Sequence, residues 1–321
     1  MSDDPYNDAI DGGTTFDNDA KYGDLKLEAS VAHKCAQACT DMAGKLLNVQ
    51  KKIDNLRLPD SALGVLPSGN PTPPWKTFLT QHKTVVDQLD SALTGHLATV
   101  RVLTNAFVDA GLAYANNEEG SATDFNDIVV PDKAPTDGSG AFVKPQPTPT
   151  DPTGADNSSV DDLTNRVTLP AGRDPMRLDN ADSYNKDDLV KIKDTADGKA
   201  VNGVAAYWQW LADELDLVFQ EFLSKVNGIS DSDWSGVGKD TALKTCRDYV
   251  KNAEKQTSEM RSIGKWDGYV AQYIAKAKSD YNDLGKCCQE SGLRKIYEGY
   301  RKLLNEIYDR LPDIPVYGAQ S

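Results

Sequence analysis

The sequence predicts an all-α protein, an elongated helical bundle of two helical hairpins joined by a disordered acidic linker. On both sides of residues 119–185, apolar residues recur every three or four positions over long stretches, which is the period of an amphipathic helix. No stretch shows the apolar–polar alternation of a half-buried strand with comparable strength. The chain has 321 residues, of which 39% are apolar, so it can bury a core.

The negative charge lies in two segments that have the composition of disorder. The formal net charge is −14. Residues 1–24 hold seven acidic residues and one basic residue, and residues 119–200 hold 16 acidic and nine basic residues. Both segments are rich in Asp, Asn, Gly, Pro and Thr. We therefore expect a disordered tail at 1–24, a disordered linker at 119–185, and no nucleic-acid partner.

The first hairpin is predicted over residues 25–118. A helix over 25–57 carries a stripe of apolar residues: Val31, Cys35, Ala38, Met42, Leu46, Val49, Ile53 and Leu56. The prolines of RLPDSALGVLPSGNPTPPW interrupt it. A second helix from about Trp75 to Glu118 is roughly 65 Å long at 1.5 Å per residue. Two such helices with a short connection form an antiparallel hairpin.

The second helical region is predicted over residues 186–311, with a tail at 312–321. A weak helical signal at Asp187–Lys199 precedes a strong one from Val201, which ends at Gly228 as a C-cap. Two later helices are predicted, one running to about Tyr281 and one over Leu293–Leu311. A flexible linker of about 80 residues spans near 50 Å, which is long enough for the chain to double back along the bundle.

The helix that begins at Val201 is apolar on more than one side. Tyr207 and Trp210 lie off its main apolar seam. Such a helix is usually packed between others.

The sequence does not indicate an enzyme. None of the three histidines, His33, His82 and His96, lies in a nucleophile motif, and no glycine loop for phosphate appears. We therefore expect no catalytic residues. His82 and His96 are two heptads apart on one helix face, either as ordinary flank positions or as a proton-sensitive contact.

The five cysteines do not form a recognisable metal or disulfide framework. Cys35 and Cys39 share a helix face, but HKCAQAC lacks the second half of a zinc site. We expect these two thiols to pack in the core, with a disulfide to Cys246 left open. The odd count and the adjacent pair Cys287–Cys288 argue against a disulfide scaffold. Neither a metal nor a cofactor is expected.

Two short motifs stand at the ends of predicted helices. Trp234 and Gly236 lie in SDWSGVG between two helices, where a tryptophan is either an apolar plug or a presented side chain. Tyr114 and Glu118 are four residues apart and project from one helix face. Acidic residues Glu118 and Glu119 near a helix C-terminus are unfavourable by about 0.3–1 kcal/mol each, which favours recognition over stability.

A hairpin that ends in YxxxE, followed by a hairpin with WxG at its turn, resembles the substrates of type VII (ESX) secretion systems. In the WXG100 and PE/PPE members the two motifs usually lie on two partner chains. Here both lie on one chain, which is similar to the EspB-like group of fused PE–PPE substrates. The resemblance covers about 25–118 as a PE-like hairpin and 187–310 as the PPE-like region, including VNGVAAYWQWLADELD and YVAQYIAKAKSDY.

The resemblance implies a secreted, non-enzymatic substrate that is exported folded without a cleaved signal peptide. Tyr114, Glu118, Trp234 and Gly236 would meet at one end of the bundle as a composite export signal for the type VII secretion ATPase and chaperone machinery. The resemblance also implies ring-like self-assembly, for which Tyr207 and Trp210 are the candidate contacts between copies of a homo-oligomer. It further implies binding of acidic phospholipid at a cell surface. No dense basic patch appears in the sequence.

Three alternatives stay open beside this interpretation. The first is a related component of the export system that acts within the cell envelope. The second is a toxin with an export-helix domain, for which the sequence shows no catalytic domain. The third is an intracellular helical scaffold or adaptor.

Overall fold

The computed structural model describes residues 28–117, 125–136, 142–152, 176, 179–229, 237–284 and 289–314. These residues form six α-helices: α1 (Ala29–Gln50), α2 (Pro73–Asn117), α3 (Lys186–Thr195), α4 (Gly198–Asn227), α5 (Val237–Asn282) and α6 (Gln289–Arg310). Two 3-10 turns accompany them at Ile53–Leu56 and Ala181–Ser183. No strand occurs in these segments, so the prediction of an all-α fold is confirmed.

The bundle is elongated because α2 and α5 are long. They have 45 and 46 residues, which corresponds to roughly 68 Å each. No helix in the described ranges combines the length and the apolar composition needed to cross a membrane.

The helix directions follow from the contacts of α1. In its hairpin with α2, Gln50 Nε2 donates to Asp90 Oδ1 at 2.8 Å. On its other side α1 runs antiparallel to α4, with Lys225 bound to Asp41 at 2.9 Å and an ion pair between Lys45 and Glu221 one turn further on. Since α1 is antiparallel to both neighbours, α2 and α4 run in the same direction.

The helix ends carry ordinary termination signals. Pro73 opens α2, where its missing N–H costs nothing. Asn185 and Asp188 form a reciprocal capping box at the start of α3. Asp197 caps α4, and Gly228 ends it as predicted. The first predicted helix is shorter than expected, because the chain tightens into the 3-10 turn Ile53–Leu56 after Gln50.

Helix α6 covers the end of the bundle at which α2 begins. The ring of Trp75 lies 5.9 Å from that of Tyr297 and 4.9 Å from that of Tyr300, and Tyr273 of α5 stacks on Tyr300 at 5.8 Å. Beyond α6, Ile314 is buried, and its N–H donates to Gln88. The first residues of the predicted tail at 312–321 therefore pack on α2.

Three stretches of the predicted linker also pack on the bundle, one of them 179–185, where Ala181 and Tyr184 are buried. In residues 125–136, Phe125 is buried and Pro135 lies against Gly44 of α1. Residues 142–152 lie along α4. The prediction of a disordered linker does not hold for these stretches, because a few rings and main-chain groups find partners on the helices. The tail at 1–24 lies outside the described residues.

Candidate recognition end of the bundle

The alignment of α2 with α5 decides which ends of the helices lie together. His82 of α2 contacts Asp267 of α5, and His96 contacts both Tyr249 and Gln256. The partner number falls as the histidine number rises, so the two helices are antiparallel in a fixed register. His96 lies level with the part of α5 between its two partners.

This register brings the end of α2 level with the start of α5 at one end of the bundle. On α5, Val237 lies about 15 residues before the part that faces His96, which is roughly 23 Å along the helix axis. An equal distance along α2 leads from His96 to about Leu112. The first residue of α1, Ala29, and the last of α4, Asn227, belong to the same end, because α1 is antiparallel to both neighbours. We call this the Tyr114 end of the bundle.

Tyr114 is the one predicted signal residue within the described ranges. Its side chain is half-buried and packs on the edge of the hydrophobic core, in the last turn of α2 that is described in full. Its neighbour Leu112 is 43% exposed. Glu118, Trp234 and Gly236 lie outside the described residues, so their convergence with Tyr114 stays a prediction. The residues flanking the tryptophan, Ile229 and Val237, both belong to the Tyr114 end.

A segment that the sequence did not indicate closes this end. Phe125 inserts between α1 and α2 with 9% of its surface exposed. His33 of α1 lies 5.7 Å from the Phe125 ring and bonds Asp127 at 2.9 Å. Gly111 makes the insertion possible, since a Cβ there would lie 2.3 Å from Phe125 Cζ. The only sequence signal was an aromatic residue in a polar segment.

Replacing Gly111 with alanine is expected to destabilise the fold, although alanine is the better helix former. The new methyl would also lie 2.7 Å from Ala32 Cβ of α1, so a helix and a ring must both move. Overpacking of this kind costs about 1–3 kcal/mol, against a helix-propensity gain of about 1 kcal/mol. Urea unfolding followed by circular dichroism measures the net loss.

Gly268→Ala is the matched control for this change. Gly268 lies inside α5, and the nearest atom to its added Cβ is Ala205 Cβ at 4.0 Å. This variant is expected to gain up to about 1 kcal/mol. Equal effects at the two glycines would show that Phe125 does not pack as described.

The two remaining histidines are interior groups that join the hairpins. His82 and Asp267 are 1% and 0% exposed, and their Nε2 and Oδ2 atoms lie 2.9 Å apart. His96 is fully buried, with Tyr249 OH 2.9 Å from Nδ1 and Gln256 Oε1 2.6 Å from Nε2. The neutral Nε2–H tautomer satisfies both contacts, because it donates to Gln256 and accepts from Tyr249. The prediction that these two histidines occupy ordinary flank positions of the helix is therefore wrong.

Three free thiols lie in the core near the Tyr114 end. Cys35, Cys39 and Cys246 are buried and unbridged, so the prediction of core packing is confirmed. Burial raises the pKa of all three thiols, that of Cys246 to about 12. They are protonated and weak nucleophiles in this state. Cys287 and Cys288 lie outside the described residues.

The two candidate oligomer contacts are buried within the chain. Tyr207 is 4% exposed and its hydroxyl accepts from Asn55 Nδ2 at 3.1 Å. Trp210 is 7% exposed and packs against Phe142, whose ring lies 4.8 Å away. They were selected because they lie off the main apolar seam of α4. Within the chain, the turn after α1 and the linker cover them, so they are not free to contact another copy.

No cluster of three or more metal-ligating side chains occurs in the described part of the chain. Comparison with family models, with curated proteins and with solved structures gave no match. The functional interpretation therefore rests on the two motifs and on the placement of the helices that carry them.

Proposed function

We propose that this chain is a non-enzymatic substrate of a type VII secretion system, exported folded, with Tyr114, Glu118, Trp234 and Gly236 as a composite signal. The observation that carries the proposal is the shared end of the bundle. The last turn of α2, the end of α4 and the start of α5 lie together there. Two sequence-distant motifs are thus attached to neighbouring helix ends.

The state of Tyr114 supports a recognition role. Its side chain is half-buried, so it is positioned by packing and yet reachable by a partner. Phe125 and Gly111 fix the adjacent turn of α2 against α1. A partner would therefore find a positioned aromatic group and would lose little conformational entropy in binding it.

The partners follow from the same proposal. The secretion ATPase and its chaperones would bind the chain at the Tyr114 end. Self-assembly into a ring and binding of acidic phospholipid belong to the proposal through the resemblance alone. Contacts between copies would use a surface other than Tyr207 and Trp210.

The test is export from a host with an intact type VII system. Trp234→Ala and Tyr114→Ala, made separately, are each expected to lower the protein in the culture filtrate by about tenfold or more, as for loss of a binding hot spot. Both proteins are expected to stay folded, with unfolding free energies within about 2 kcal/mol of the unmutated chain.

Tyr281→Ala serves as the matched control. Tyr281 is also half-buried, but it lies in the last turns of α5, at the opposite end of the bundle. Its loss should leave export unchanged. Equal export of all variants would remove the composite signal. Retention of the unmutated chain inside the cell would favour an intracellular or envelope-associated scaffold instead.

A further inference from the structure

Residues 142–152, with the sequence FVKPQPTPTDP, form a strap along α4. Lys144 lies at Trp210, Thr150 at Asn202, and Pro152 near Gly198, so the strap runs antiparallel to the helix. The nine residue steps from Val143 to Pro152 cover about 28 Å in the polyproline II conformation. The 16 helical steps from Gly198 to Glu214 cover about 24 Å. The lengths match an extended, proline-rich chain lying along the helix.

The helix holds the strap chiefly through main-chain atoms. Glu214 accepts from two successive N–H groups, that of Val143 at 2.8 Å and that of Lys144 at 2.6 Å. The indole Nε1–H of Trp210 donates to the carbonyl oxygen of Lys144 at 3.1 Å. Any peptide supplies such atoms, so these three bonds do not depend on the side chains of Val143 and Lys144.

Two ring contacts, and an ion pair between Lys144 Nζ and Asp213 Oδ2 at 2.7 Å, add selectivity to the main-chain bonds. At one end the Phe142 ring packs on Trp210. Further along, Gly203 provides the seat for Pro149, since a Cβ on Gly203 would lie 2.9 Å from Pro149 Cβ. The arrangement therefore favours an aromatic residue followed seven positions later by proline.

The strap is loosely attached by comparison with what it covers. Val143 is 71% exposed, and most other strap residues are exposed. Beneath it Glu214 is 3% exposed and Trp210 7%. A buried carboxylate is costly unless it accepts hydrogen bonds, so the covered Glu214 requires donors. A segment with few apolar contacts opens at low free energy.

We propose that the face of α4 from Gly198 to Glu214 is a peptide-binding site for extended, proline-rich segments that begin with an aromatic residue. The chain's own strap occupies this site in cis. A separate peptide of the same pattern binds there when the strap is absent. This inference does not depend on the proposed export.

The test uses the full chain with residues 142–152 replaced by a sequence of equal length that has proline at 143 and 144, which offer Glu214 no N–H, and Gly/Ser at the other positions. The probe is a fluorescent synthetic peptide with the strap sequence, followed by anisotropy. We expect saturable binding to the strap-replaced chain. The unmutated chain should bind the peptide at least about tenfold more weakly, because a tethered strap competes at an effective concentration of the order of millimolar.

Single substitutions in the protein or the peptide then identify which atoms contribute to binding. Glu214→Gln in the strap-replaced chain should weaken binding by about 10- to 100-fold, because a charge-assisted acceptor is lost. N-methylation of the peptide at Lys144 should act similarly. Val143→Ala in the peptide is the matched control and should leave binding within about twofold, since that side chain is exposed.

Several results would overturn the site. One is absence of peptide binding to a strap-replaced chain that circular dichroism and melting show to be folded. Others are equal binding by the unmutated chain, equal binding of a scrambled peptide, and no effect of Glu214→Gln.

Discussion

Replacing Asp267 with alanine is expected to lower the free energy of unfolding by about 3–5 kcal/mol, the usual effect of breaking a buried pair. The change leaves His82 Nε2 without its partner at a site where the imidazole is 1% exposed. Trp208 packs edge-on against that imidazole at 6.1 Å, and neither side chain of the pair has more than 1% of its surface exposed. Urea unfolding measures the loss.

A second change separates the loss of the contact from the cost of the unpaired group. In His82→Leu/Asp267→Ala both polar groups are gone, and the combined side-chain volume is nearly kept. Removing both partners of a buried hydrogen bond costs less than removing one. The double variant is expected to be about 1–2 kcal/mol more stable than Asp267→Ala alone. If the double variant were instead less stable than Asp267→Ala, so that the two losses added, the result would contradict the pairing of His82 with Asp267.

Acidification is expected to destabilise the fold through His96. Burial lowers the pKa of His96 to about 4 from its ordinary value of 6.5. The unfolded chain therefore binds a proton that the folded chain refuses, and stability falls as the pH falls from 6.5 to 4. A shift of this size corresponds to about 3 kcal/mol, lost across that window and constant below it. The hydrogen bond to Gln256 favours the charged ring, but the cost of burying that charge outweighs it.

His96→Gln removes the titrating group and serves as the control. The variant is expected to be less stable than the unmutated chain at pH 7. Its further loss between pH 6.5 and 4 should be smaller by about 3 kcal/mol, since other groups titrate in both proteins. Parallel stability curves for the two proteins would show that His96 is not held neutral in the fold.

Most of the helices were predictable because their apolar residues repeat with the helical period. The Lys186–Thr195 helix gave only a weak signal, since it buries Leu189 and Ile192 and otherwise depends on its capping box. Gly228 was predictable as the end of α4 because glycine is a common helix terminator.

The interior histidines show what the sequence pattern lacks. Polar side chains are assigned to the surface by default, and the partners of His82 and His96 lie more than 150 residues away. Nothing local reveals that Asp267, Tyr249 and Gln256 arrive at the same levels. The candidate end was predictable only in part, since Tyr114 was identified by its motif while Phe125 and Gly111 were not.

The strap escaped prediction for a different reason. Its composition, with four prolines in 11 residues, is typical of disorder. Its attachment depends on main-chain N–H and C=O groups, which every sequence has, and on the carboxylate of Glu214. The partners of Tyr207 and Trp210 could not be predicted either, because the groups that cover these two side chains come from distant parts of the chain.

The two histidine contacts also fix how the molecule can move. A slip of one turn between α2 and α5 would separate both imidazoles from their partners at once, and each would then be stranded in an apolar interior. Sliding of one hairpin along the other would therefore break both buried contacts, and these contacts favour a bundle that keeps its length of about 68 Å. A channel that carried the protein without unfolding it would have to be wide enough for the cross-section formed by α1, α2, α4 and α5 together.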